Sequence, residues 1–137
     1  MAILNVDVNS PYTLDISLLH GKSYRRLWTL ERTSTVTAAV SLTGVTWSLK
    51  IYDAPSGGTA KLSKTTTADW TASGIYVDSE VNGQFTVYLL AADVETSLPP
   101  GSYYYEVTAT FGASHADFPS QVKTLLKGSL TVTADLT

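Results

Sequence analysis

The chain has 137 residues, nine Lys and Arg against twelve Asp and Glu, a formal net charge of -3 and no cysteine. Without cysteine, disulfides, structural zinc, iron–sulfur clusters and thiol catalysis are excluded together, and the acidic balance speaks against a nucleic-acid binder, whose footprint is basic. The length fits one domain, and a chain of this size buries roughly two-thirds of its unfolded surface, enough for a core without staples.

Taken in chain order, the first stretch (residues 2–9) alternates, with Leu4, Val6 and Val8 against Asn5, Asp7 and Asn9. It carries no basic leader, and no run anywhere approaches the ~18 apolar residues of a membrane span, so neither a signal peptide nor a membrane association is expected. Ser10-Pro11 separates it from the next strand. Residues 1–10 therefore read as an extended arm or edge strand, and residues 11–137 as a single domain. Leu14, Ile16 and Leu18 then oppose Asp15 and Ser17 in a half-buried strand. Residues 23–32 obey the pattern less well, because Arg26 shares a face with Tyr24, Trp28 and Leu30. Either a bulge near Arg26 or an aliphatic stem lying under a polar rim would reconcile this.

Alternation is cleanest in the middle of the chain. Over residues 45–52, Val45, Trp47, Leu49 and Ile51 face one way; the turn sequence Ala54-Pro55-Ser56-Gly57-Gly58 comes next. Asn82-Gly83 predicts a type I′ hairpin joining residues 75–79 to 85–90, since both central positions of that turn need positive φ. Phe85, Val87 and Leu89 are predicted inward, with Gln84, Thr86 and Tyr88 outward. Residues 91–98 break the alternation and read as a helix of one to two turns. Pro99-Pro100-Gly101 leads into a strand in which Tyr103, Tyr105, Val107, Ala109 and Phe111 oppose Tyr104, Glu106, Thr108 and Thr110. Near the end Val122, Leu126, Leu130 and Val132 share a parity. About seven to nine such strands, each with one buried face, and one short helical link predict an all-β antiparallel sandwich.

Catalytic and metal-binding patterns are missing from the sequence. His20 and His115 stand at no ligand spacing and read as exposed strand-end and loop residues. Asp53, Asp69, Asp78, Asp93 and Asp117 sit at or near predicted turns, where aspartate usually serves turn geometry or helix capping. No G-x-S-x-G elbow, phosphate loop or calcium loop is present. The chain reads as a non-enzyme that needs no cofactor.

Aromatic placement points to binding instead. Tyr103, Tyr104 and Tyr105 are consecutive, so at least one must face outward, and Tyr52, Tyr76 and Tyr88 also fall on predicted outer faces. Outward tyrosines supply rigid contact area with a polar tip, as protein interfaces and sugar-binding sheets both use. Leu4, Val6, Tyr52, Tyr76, Tyr88 and Tyr104 are the candidate contact residues. Trp70, in the polar stretch Asp69-Trp70-Thr71, is either a second binding element or a buried loop plug.

Three segments in order resemble a family of small domains in tailed-phage virion proteins, including the N-terminal part of baseplate upper proteins. They are SLTGVTWSLKIYD (residues 41–53), GQFTVYLLAADVETSLPPGSYYYEVTAT (residues 83–110) and LLKGSLTVTADLT (residues 125–137). Gly21-Lys22-Ser23 stands where such domains often carry Gly-Asp-Thr. The resemblance covers residue 21 onward and rests on spacing more than on any one residue. It implies an immunoglobulin-like sandwich, with Gly44 and Gly101 at turns and Leu98 and Tyr105 in the core. It also implies a structural role in the virion: partners that are other capsid, tail or baseplate proteins, several copies per particle, and release by lysis. A carbohydrate or receptor-binding module is the alternative expectation.

Overall fold

The computed structural model describes residues 3–7, 11–31, 40–55, 57–67, 72–115 and 118–134. The elements run β1 (Ile3–Asp7), β2 (Tyr12–Thr13), β3 (Ile16–Leu19), β4 (Tyr24–Glu31), β5 (Thr46–Tyr52) and β6 (Ala60–Lys64). After them come β7 (Gly74–Ser79), β8 (Gln84–Leu89), α1 (Ala91–Ser97), β9 (Gly101–Thr110) and β10 (Val122–Thr133). They build an all-β sandwich of two sheets. One has the order β1-β4-β8-β7; in the other, β2 and β3 pair in succession with β10, followed by β9, β5 and β6.

Between the named strands pairing is antiparallel except where the N-terminal strands join, and an isolated bridge between Thr66 and Ile75 is also parallel. β1 runs parallel to β4, while β2 and β3 run parallel to β10. The chain thus starts on the edge of one sheet and has moved to the edge of the other by Pro11. β1 is an edge strand whose register sets Leu4 beside Trp28 and Val6 beside Leu30.

The alternating residues meet between the sheets. Trp28 and Leu30 of β4, Ile75 of β7 and Phe85, Val87 and Leu89 of β8 pack against Trp47, Leu49 and Ile51 of β5 and Tyr105, Val107 and Ala109 of β9. The Trp47 and Phe85 rings, 4.7 Å apart, join the two layers. Leu98 closes the core beside α1. That helix has no side-chain cap of its own at Leu90. Ser73 supplies one from outside, its hydroxyl accepting the Leu90 N–H at 2.7 Å and donating to the Asp93 carboxylate.

Several local expectations are corrected. The 75–79 and 84–89 strands do form a hairpin, but Asn82 does not have positive φ; only Gly83 does, at 66°. The reversal is a longer loop between Ser79 and Gln84, the pair that closes the ladder, so a type I′ turn is ruled out. Gly83 is needed there for a second reason: a Cβ would lie 2.8 Å from the carbonyl oxygens of Leu30 and Val40. Val122 is 64% exposed, outside the core, because the β10 register shifts between Thr124 and Leu126. That bulge reverses the parity and buries Leu125 and Leu126 together. Thr86, predicted outward, is buried, its hydroxyl held by Asp78 at 2.6 Å. Gly101 begins β9 rather than turning, with no contact closer than 3.8 Å around a Cβ placed on it.

The two readings of Arg26 are also resolved. β4 pairs with β8 without a register shift, so there is no bulge. Arg26 is half-buried on the inward parity and hydrogen-bonded to Tyr24, as a side chain under a polar rim would be.

Candidate functional site

The described candidate tyrosines do not form one face. β7 and β8 carry Tyr76 and Tyr88 on the outside of the four-stranded sheet, close together because Gly74 pairs with Tyr88 and Tyr76 with Thr86. β5 and β9 carry Tyr52 and Tyr104 on the outside of the other sheet, directly paired. All four are half-buried. A period-two pattern assigns a residue to the outside of its own sheet and says nothing about which sheet the strand joins. Trp70 lies outside the described residues.

The Tyr52–Tyr104 face carries a depression. Across β10, β9 and β5 the registers line up two adjacent rows. Ser129, Tyr104 and Tyr52 form one; Lys127, Glu106 and Lys50 form the next, extended by Thr13 on β2. Along the rows lies a depression of about 400 Å³, lined by Thr13, Asp15, Tyr52, Pro55, Tyr104, Tyr105, Glu106, Lys127, Gly128 and Ser129. A second, of about 360 Å³, lies against the 53–58 turn and shares Tyr52, Pro55 and Glu106 with the first. Together they make one trough running from the β2–β3 joint across the sheet to the turn after β5.

Local sequence explains its walls. After β5, Asp53 closes the turn, accepting the Thr59 N–H on Oδ1 at 2.8 Å, while its own N–H donates to the Thr59 carbonyl at 3.1 Å. Pro55, in that turn, lines one end of the trough. At the other end Asp15 accepts the Ser129 N–H at 3.2 Å, fixing its carboxylate beside β10. In the middle Glu106 accepts the Thr108 hydroxyl at 3.2 Å. Asp15, Glu106 and Lys127 were not among the sequence candidates. Their outward parity is readable in the sequence, but their convergence depends on which strands are neighbours.

Beneath the trough, Tyr105 donates its phenol proton to the Leu14 carbonyl at 2.7 Å. Burial, and after it the neighbouring Tyr24 and Asp15, push this phenol above its ordinary range, against the opposing pull of Arg26. An unfolded tyrosine ionises near pH 10, so the unfolded chain releases this proton first. The stabilisation is thus fully present below about pH 10 and is lost as pH rises beyond it. Tyr105→Phe is expected to flatten the alkaline loss of stability while costing about 1–2 kcal/mol at neutral pH, where the Leu14 carbonyl loses a donor. Urea titrations at neutral pH and at about pH 11 check this; equal alkaline slopes in both proteins would contradict it.

Both histidines are held by backbone hydrogen bonds. His20 and His115 are each only partly exposed, a correction to their reading as exposed strand-end and loop residues. The His115 Nδ1 accepts the Phe118 N–H at 3.0 Å, so the proton sits on Nε2, which donates to the Ser41 carbonyl at 2.8 Å. His20 donates from Nε2 to the Glu95 carbonyl at 2.9 Å, tying the β3–β4 turn to α1. Among the described residues no three metal-ligating side chains converge, and no helix is long and apolar enough to cross a membrane.

No family model matches the chain, and no curated protein matches it in sequence. Among solved structures, the fold is similar to the "N-terminal domain of phage TP901-1 ORF48", with a TM-score of 0.54 over 96% of each chain. The identity is 7%, so the likeness is one of fold. It is a phage domain, as the resemblance read from the three sequence segments leads one to expect.

Proposed function

We propose that this chain is a non-enzymatic structural component of a tailed-bacteriophage virion, acting through contacts with other virion proteins. The observation that supports it most is the fold likeness to a phage domain over 96% of both chains, with neither side leaving a substantial remainder. The segments that resemble baseplate upper proteins favour a tail or baseplate position over capsid decoration. Strand order supports an immunoglobulin-like sandwich, as does Tyr103: close to the start of β9, it donates its hydroxyl back to the Pro99 carbonyl, as in the tyrosine corner of such domains.

The contact surfaces we assign are the Tyr76–Tyr88 face and the outer edge of β1. Parallel pairing is slightly weaker per residue than antiparallel, which suits β1 to re-pairing with a neighbouring subunit. Deleting residues 1–9 is expected to leave a cooperatively folding sandwich but to cut incorporation into particles by about tenfold or more, the equivalent of ~1.4 kcal/mol of contact energy. Mass spectrometry of separated heads and tails, with cryo-electron microscopy of whole particles, tests the assignment. Recovery with tails at low copy number supports the baseplate position, and recovery with heads at high copy number makes it a decoration protein. Recovery with neither sinks the virion reading.

A further inference from the structure

We infer that the trough on the outside of the six-stranded sheet is a carbohydrate-binding site that takes an oligosaccharide along the Tyr104–Tyr52 row. The inference does not rest on the virion reading, since the lining alone supports it.

The apolar surface of the trough comes from tyrosine rings, Pro55 and the small Ala54 side chain; no leucine, isoleucine, valine, methionine or phenylalanine lines it among the described residues. A peptide partner is gripped by apolar anchors set into pockets, and none is provided here. A sugar ring presents something different: a C–H face that lies flat on an aromatic ring and a rim of hydroxyls that both donate and accept. The paired Tyr52 and Tyr104 supply the flat surface. The lining around them supplies the rim partners, with Glu106 of the adjoining row and Asp15 as acceptors, and Lys127 of that row and the Ser129 hydroxyl as donors.

Charge balance fits the same ligand. Glu106 pairs across the strands with Lys127 on one side and Lys50 on the other. With Asp15 beside this row, two lysines face two carboxylates, so the trough alternates in sign and presents no net charge suited to a phosphate or a polyanion. Size fits as well: the first depression falls within the range of small-ligand pockets. The second continues it past Tyr52, which gives a chain of sugars somewhere to run. A neutral, linear oligosaccharide is the class that this arrangement accepts.

The test is a printed glycan array probed with the full chain displayed on tetrameric streptavidin, so that several weak sites act together. Binding is expected to a family of neutral linear glycans. Tyr104→Ala and Tyr52→Ala should each reduce the signal at least about tenfold, and Glu106→Gln should reduce it severalfold. Tyr104→Phe, which keeps the ring, should retain most of it. Circular dichroism of each variant separates lost binding from lost fold, and Tyr88→Ala, on the opposite sheet, should bind as the parent does. Absence of binding to every glycan on the array, or binding that Tyr52→Ala and Tyr104→Ala leave unchanged, overturns the assignment. Either result leaves the head-and-tail experiment untouched.

Discussion

Gly128→Ala is expected to destabilise the fold by about 3 kcal/mol or more, a drop of about 10 °C in Tm. The reason is distance first, added to a backbone φ of 159° that residues with a Cβ rarely adopt. A Cβ on Gly128 would lie 2.2 Å from the Leu14 carbonyl oxygen and 2.8 Å from its carbon. These are backbone atoms, and no rotamer can move them away. Relief requires that Leu14 withdraw from β10, yet two hydrogen bonds hold it there: its N–H to the Lys127 carbonyl at 3.0 Å and its carbonyl to Tyr105 at 2.7 Å. Each contributes about 1 kcal/mol, so the variant either keeps the clash or loses the bonds. Urea titration checks the size of the effect. Gly101→Ala is the control: its Cβ meets nothing closer than 3.8 Å, and it should fall within about 0.5 kcal/mol of the parent. If the two alanine variants are equally stable, the close approach at Leu14 is not what β10 depends on.

Phe85→Ala is the second large effect, with an expected cost of about 3–5 kcal/mol. Phe85 is fully buried on β8, and its ring meets Trp47 of the opposite sheet at 4.7 Å. Removing it leaves a void between two sheets whose spacing is set by all the other inward residues, so collapse around the site is limited. Domains of this kind have a total stability of roughly 5–15 kcal/mol, so a large share of it goes with one ring. Phe85→Leu, which keeps most of the volume, should cost less than about 1.5 kcal/mol. Denaturant unfolding of the two variants, together with near-ultraviolet circular dichroism of Trp47, separates a cavity effect from a general loss of packing. Equal costs for leucine and alanine would show that volume at this position is not the controlling factor.

Much of the fold was legible because burial on one side of a strand writes itself into the sequence every second residue. Trp47, Leu49 and Ile51 on β5 and Tyr105, Val107 and Ala109 on β9 are buried as alternation requires. Alternation fails where the backbone adds or withholds a residue. On β10 the shift between Thr124 and Leu126 turns Val122 out and brings Leu125 in, and no residue there advertises a bulge. At Asn82-Gly83 the dipeptide marks the reversal but not its length, which Ser79 and Gln84 set by pairing. The site was less legible than the fold. Tyr52 and Tyr104 are found by parity, whereas Asp15, Glu106 and Lys127 join them through contacts among β2, β10 and β9 that are distant in sequence. Tyr76 and Tyr88 look equivalent to the other pair in the sequence and lie on the opposite side of the molecule.

The parallel pairing of β2 and β3 with β10 has a mechanical consequence. Tyr12 stands beside Leu126 and Leu19 beside Thr133, so the two strands point the same way along their whole shared length. A pull between residue 11 and residue 134 therefore acts along both strands in opposite senses. It slides one past the other instead of peeling them apart. Sliding loads every rung of the ladder at once, whereas peeling would break the rungs one at a time. The domain is thus built to carry tension between its two ends, and the Leu14–Gly128 contact sits in the middle of the seam that bears it.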